Sequence, residues 1–191
     1  MAIIVQTHRG EVENANAYVD VALMKSYHAE RGVDLSSYTD DRLSQALVLA
    51  TDFLDSRYSF IGVPLRALQG TQCPRYLSTH NDNARFPQDY NTLEPAYLIT
   101  TQQWAALTRA CCQLAYRELK KPNGLMPDPT FDGTGQRVSK KTTKAGPVET
   151  SIEYAQGSAM DPLVPNYPAV DLLLRNVGLL RSRASGTIAR A

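Results

Sequence analysis

The chain has 191 residues, of which 43% are hydrophobic and 20% charged, and its formal net charge is +1. That composition predicts a folded, water-soluble chain with one core and excludes a disordered one, while the near-zero net charge excludes a uniformly basic nucleic-acid coat. Three cysteines, with Cys111 and Cys112 adjacent and Cys73 apart, form neither a disulfide framework nor C-x-x-C spacing and fit a reducing compartment; no apolar run has signal-peptide or membrane-spanning form.

Ile3 to Val5 reads as a short β-branched strand, followed by a turn-prone stretch from Gly10 to Asn16. Ala22 to Arg31 reads as a short helix closed by Gly32, a residue that tolerates the left-handed conformation at a helix end. A longer helix begins at Thr39 or Asp40, where a capping oxygen accepts first-turn amides. Its apolar stripe is Leu43, Ala46, Leu47, Ala50, Phe53, Leu54 and Tyr58, over roughly 27 Å at ~1.5 Å per residue. Gln45, Asp52, Asp55 and Arg57 are left to the other faces.

Pro64, Gly70, Pro74, Pro87 and Pro95 interrupt any period from Gly62 to Pro95, and residues 62–94 read as a long surface loop. Pro95 suits the first turn of a further helix, with Tyr97, Thr101, Trp104, Leu107, Cys111, Leu114 and Ala115 as its stripe and Pro122 and Gly124 as its stop. From Arg137 to Tyr154 the period is two, which predicts a β-hairpin about Ala145-Gly146-Pro147 reaching roughly 23 Å at ~3.3 Å per residue. Pro162, Pro165 and Pro168 form a stiff connector to a short helix lined by Val170, Leu173, Leu174, Val177 and Leu180. From Arg175 to the end there are four arginines, Arg175, Arg181, Arg183 and Arg190, and no acidic residue.

The elements predict a mainly α fold: a small helical bundle with a projecting β-hairpin and an extended C-terminal segment. Residues 1–160 form the helical core, with the loop 62–94 and the hairpin 137–154. Residues 161–191 form the Pro-rich connector, the short helix and the basic tail.

The sequence supplies no convergent chemistry. His8, His28 and His80 lie in separate segments without ligand spacing, so no metal site is assigned. Cys111 shares a stripe with Trp104 and Leu107 and reads as a small apolar core residue. Gly133-Thr134-Gly135 lacks the remainder of a dinucleotide-binding pattern. Asp52, Asp55 and Arg57 describe an ordinary solvated helix face, and Trp104 a packing residue. No catalytic residue and no cofactor are expected, and the chain reads as a non-enzyme.

Several stretches, in order, resemble one phage family. Asn14-Ala15-Asn16-Ala17-Tyr18-Val19-Asp20-Val21 with Tyr27 and Arg31-Gly32 resembles its opening segment and first helix. Gln45 through Asp55 resembles its Ala-Leu-x-x-Ala-Thr-x-x-Leu-Asp helix. Gly62, Gln72, Pro74 and Arg75 resemble its Gly, Gln and Trp-Pro-Arg region, with Cys73 in the tryptophan's place. Pro95 through Tyr116 resembles a Pro-initiated helix, and Val138 to Lys141, Gly146 and Val148 to Tyr154 resemble its hairpin. The family is that of tailed-phage head-to-tail connector adaptors, whose members also go under the description DnaT-like single-stranded DNA-binding proteins.

The resemblance implies a structural subunit of a homo-oligomeric ring, usually a dodecamer, located in the virion neck and assembled in the host cytoplasm. Its partners would be the portal protein and a stopper or tail-completion protein, with non-specific contact to packaged DNA and no membrane. On that reading Val170, Leu173, Leu174, Val177 and Leu180 bury apolar area against the portal or the chain's own core, and Arg181, Arg183 and Arg190 meet acidic portal groups. Lys140, Lys141 and Lys144 meet Glu149 and Glu153 across strands or subunits, and Ile152 and Tyr154 complete the inter-subunit hairpin surface. The rival expectation is a DnaT-like single-stranded DNA binder, which requires a basic groove with interleaved aromatics.

Overall fold

A computed structural model describes residues 2–66, 68–76, 98–126 and 165–181, together with the backbone of 138–144 and 149–154. The fold is mainly helical with a small antiparallel hairpin, as the residue patterns predict. Helix α1 spans Val21–Ala29; the Asp20 side chain accepts the Leu23 amide at 2.6 Å, and Met24, Tyr27 and His28 are buried. Gly32 sits at φ +71° just past its end, in the left-handed region where a side chain is strained.

Helix α2, Asp40–Arg57, is capped by Thr39, which accepts the Arg42 amide at 3.3 Å. Helix α3 spans Thr101–Lys120 and packs its apolar stripe on that of α2. The core is continuous across them: Leu43, Leu47, Phe53, Leu54, Leu107 and Leu114 are all 0% exposed. Thr51 donates its hydroxyl to the Leu47 carbonyl at 3.0 Å and lies 3.6 Å from Cys111 Sγ.

The start of α3 corrects the expectation built on Pro95. Thr100 and Gln103 form a reciprocal capping box, with Gln103 N to Thr100 Oγ1 at 3.2 Å and Thr100 N to Gln103 Oε1 at 2.8 Å. Those bonds satisfy two otherwise free donors and set the boundary at Thr100. Pro95 itself lies outside the described residues. At the other end buried Glu118 accepts the amides of Asn123 at 2.7 Å and Leu125 at 3.4 Å, which turns the chain after the helix.

Ile3 to Val5 forms an isolated parallel bridge, Val5 to Ala17, rather than a strand. The segment instead folds on the following turn: Ile4 O accepts the amides of Asn16 and Ala17, and the Asn16 side chain accepts the Ile4 amide at 2.8 Å.

Residues 62–76 also depart from the surface-loop expectation. Two short strands, β1 (Val63–Pro64) and β2 (Arg75–Tyr76), pair antiparallel, and Leu65, Thr71, Cys73, Pro74 and Arg75 are buried. Arg75 organises this turn: its guanidinium donates to Ile61 O at 2.8 Å, Gly62 O at 2.7 Å and Gln72 O at 3.1 Å. Side-chain bonds thus supply what a longer strand ladder would have given. Gly70 lies so close to Ala15 that a Cβ there would overlap the Ala15 carbonyl oxygen and stand 2.8 Å from its amide nitrogen. The remainder of the expected loop, residues 77–94, lies outside the described residues.

The hairpin is formed by β3 (Val138–Lys144) and β4 (Glu149–Tyr154), with an irregularity between Val138 and Lys140. Its expected turn, residues 145–147, is outside the described residues. Helix α4, Pro168–Asn176, has Pro in its first turn and packs on α3, where Gln103 Nε2 donates to Val177 O at 3.0 Å.

Candidate functional site

Helix α2 ends at Arg57, and Tyr58 turns the chain into a segment that pairs with the C-terminal side of α4. Phe60 bridges to Leu180, Ile61 N donates to Leu179 O at 3.0 Å, and Arg181 N donates to Ser59 O at 2.8 Å. This joint brings Arg57, Arg175 and Arg181 around a cleft of about 440 Å³ that Tyr58, Asn166 and Asp171 also line.

The cleft is cationic. The one carboxylate that lines it among the described residues, Asp171, accepts the Tyr58 hydroxyl at 2.5 Å. Burial raises the Tyr58 pKa above the ordinary tyrosine value, and the bond to Asp171 adds to the rise, so the hydroxyl stays a donor. Among the described residues Arg57 and Arg175 form no ion pair. Arg181 donates to Gly62 O at 3.3 Å, and Arg75 donates to that same carbonyl oxygen at 2.7 Å. Burial lowers the Arg75 pKa from the usual arginine value, and the Arg181 charge acts in the same sense. Arg57, Arg175 and Arg181, which line the cleft, can hold an anion through planar N–H forks.

The residues singled out from sequence fall into three groups. Val170 and Leu174 are 0% exposed in the chain's own core, the second of the two places expected for their apolar surface. Leu173, Val177 and Leu180 are half-buried, the last two against the same core, whereas Leu172 is 59% exposed. Arg181 belongs to the cleft, and Arg183 and Arg190 lie outside the described residues.

In the hairpin, the register sets Lys140 opposite Glu153, Lys141 opposite Ile152, Lys144 opposite Glu149 and Val138 opposite Tyr154. Opposite charges therefore occupy facing positions, an arrangement that stabilises antiparallel pairs. Arg57, Tyr58 and Asp171 were not among the expected site residues, and Arg175 stood there only as the first arginine of the basic C-terminal stretch. The one local signal was the four-residue spacing of Asp171 and Arg175.

A second polar cluster lies at Asp55, which is not the solvated residue its helix position suggests. It accepts the Tyr18 hydroxyl and, at 2.9 Å, the Gln72 amide, while Tyr18 Oη accepts the Cys73 amide at 3.0 Å. Burial pushes the Asp55 carboxyl up to about 6, against the lowering effect of its two donors and of Arg75 and with a small contribution from Asp52. A folded-state pKa above the unfolded value means the native protein binds the proton more tightly. Its contribution to stability is then largest at low pH and falls as pH rises from about 4 to about 6.

Asp55→Asn should flatten that part of a stability-against-pH curve measured by urea unfolding, by on the order of 2 kcal/mol. His28, buried with its ring 3.1 Å from Cys112 O and with its pKa lowered by burial, acts in the opposite sense below its ordinary value. An unchanged slope in Asp55→Asn would contradict the assignment.

No group of three or more metal-ligating side chains converges among the described residues. Cys111 is fully buried with its thiol pushed up to about 12, chiefly by burial, which suits the core role read from its stripe. His8 contacts Ile99 O at 2.8 Å and Trp104 edge-on, and Trp104 packs in turn on Tyr18. These aromatics serve the interior.

A family model described as "Putative DnaT-like ssDNA binding protein" matches residues 1–191. No curated protein and no solved structure matches the chain.

Proposed function

We propose, since the chain belongs to the DnaT-like ssDNA binding family, that it binds single-stranded DNA and that the arginine cleft takes the phosphodiester backbone. The observation that carries this reading is the convergence of Arg57, Arg175 and Arg181 on one cleft, with the first two free of ion pairs among the described residues. Unpaired guanidiniums on a concave surface release counterions when a phosphate replaces them, which supports sequence-independent binding. Among the described residues Tyr58 is the one aromatic that lines the cleft, and its hydroxyl is engaged by Asp171, so backbone contact dominates this reading. Affinity for a short oligothymidylate, followed as salt is raised, tests the reading.

The hairpin favours a second reading. Strands β3 and β4 pair with each other, and among the described residues no helix packs substantially against them. A lone two-stranded hairpin is at best marginal in water, and its free backbone edges are completed by a neighbour. With the ordered resemblance noted above, this supports a ring-forming head-to-tail adaptor of a tailed phage, with portal and tail-completion partners and DNA passing through the ring. Light scattering and negative-stain imaging, with and without portal, should then give rings, and reversing the charges of Lys140, Lys141 and Lys144 should shift the protein toward smaller species. A protein that stays monomeric and ignores portal contradicts this second reading and leaves the first intact.

A further inference from the structure

Asp171 and Arg175 stand four residues apart on α4, the spacing at which opposite charges ordinarily pair along a helix. Here they do not. The carboxylate is turned to the Tyr58 hydroxyl at 2.5 Å, and Arg57, which also lines the cleft, has no carboxylate partner among the described residues. The Tyr58 ring is fixed from behind by Phe53, edge-on at a centroid distance of 6.4 Å, and its backbone amide caps α2 through Leu54 O at 3.1 Å. The hydroxyl is therefore held in one place by the fold.

From this we infer that Tyr58 is a positioning residue: by binding Asp171 it prevents that carboxylate from neutralising Arg57 and Arg175 and keeps both guanidiniums available to a phosphate. The inference deepens the single-stranded DNA reading of the cleft and rests on it for the ligand. Removing the hydroxyl changes no charge, yet it frees Asp171 to take the arginine four residues on. Phosphodiester and free phosphate share the chemistry, so both serve as probes.

The test uses the full chain and three variants, Tyr58→Phe, Asp171→Asn and the double variant, with fluorescent oligothymidylate and inorganic phosphate as ligands. Tyr58→Phe should weaken binding by roughly 2–5-fold, the range of an exposed ion pair. Asp171→Asn should strengthen it, and the double variant should match Asp171→Asn because no carboxylate remains to neutralise the site. In the ligand-free protein the Arg175 Nε–H resonance should move in Tyr58→Phe and not in the double variant.

Weakened binding in all three variants would assign Tyr58 a merely structural role and overturn the inference, as would an Arg175 resonance unmoved by Tyr58→Phe. Failure of the wild-type chain to bind oligothymidylate would overturn the DNA reading instead, and the arginine resonance would still decide the role of Tyr58.

Discussion

A chain carrying Arg57→Ala and Arg175→Ala is expected to bind a short oligothymidylate roughly 100-fold more weakly than the wild type. Charge-assisted hydrogen bonds contribute about 1.5–3 kcal/mol each, so the loss of two at the low end of that range corresponds to about two decades in affinity. The salt dependence should change too: each phosphate contact to a single strand contributes about 0.7 to the slope of log affinity against log salt, so the slope should fall by about 1.4. Because neither guanidinium has a hydrogen bond or ion pair to lose among the described residues, the variant should unfold at the same urea concentration as the wild type. Unaltered affinity and slope in a folded variant would move the DNA site away from the cleft.

Arg75→Ala should have the largest effect on folding, about 3–5 kcal/mol by urea denaturation. The arginine is 8% exposed and donates to the carbonyls of Ile61, Gly62 and Gln72. Removing it takes their side-chain donor from part-buried acceptors, each at a cost of about 1–3 kcal/mol, partly relieved by water entering the space and, at Gly62, by Arg181. The effect should reach the cleft as well, since Arg181 shares the Gly62 carbonyl with Arg75. A loss under about 1 kcal/mol would mean that the 62–76 turn is held by other contacts.

The helical part of this fold was legible because it rests on local rules. Thr39 caps α2 and Gly32 closes α1 as their residue types require, and the stripe from Leu43 to Leu54 is the buried face. The start of α3 was misplaced because proline at a first turn and Thr100-x-x-Gln103 compete as start signals, and the capping box, with two reciprocal bonds, prevails. Asp55 looked solvent-facing on its own helix; Tyr18 and Gln72 cover it from remote segments that no helical period can register.

The candidate site was less legible for the same reason. Arg57 and Arg175 are 118 positions apart, and the pairing of 59–61 with 179–181, with the Tyr58–Asp171 bond, brings them together. A net charge of +1 conceals such a cluster, since composition averages over surfaces that folding separates. The apolar residues of α4, in contrast, pointed correctly to a buried face and left two neighbours open, of which the chain's own core is the one that covers Val170 and Leu174.

The most direct test of the central claim is the affinity of the wild-type chain for oligothymidylate measured across a series of salt concentrations. Single-stranded DNA binding through the arginine cleft predicts saturable binding at low salt and a log–log slope near −2, from about three phosphate contacts at ~0.7 each. No binding at low salt, or an affinity indifferent to salt, would contradict it.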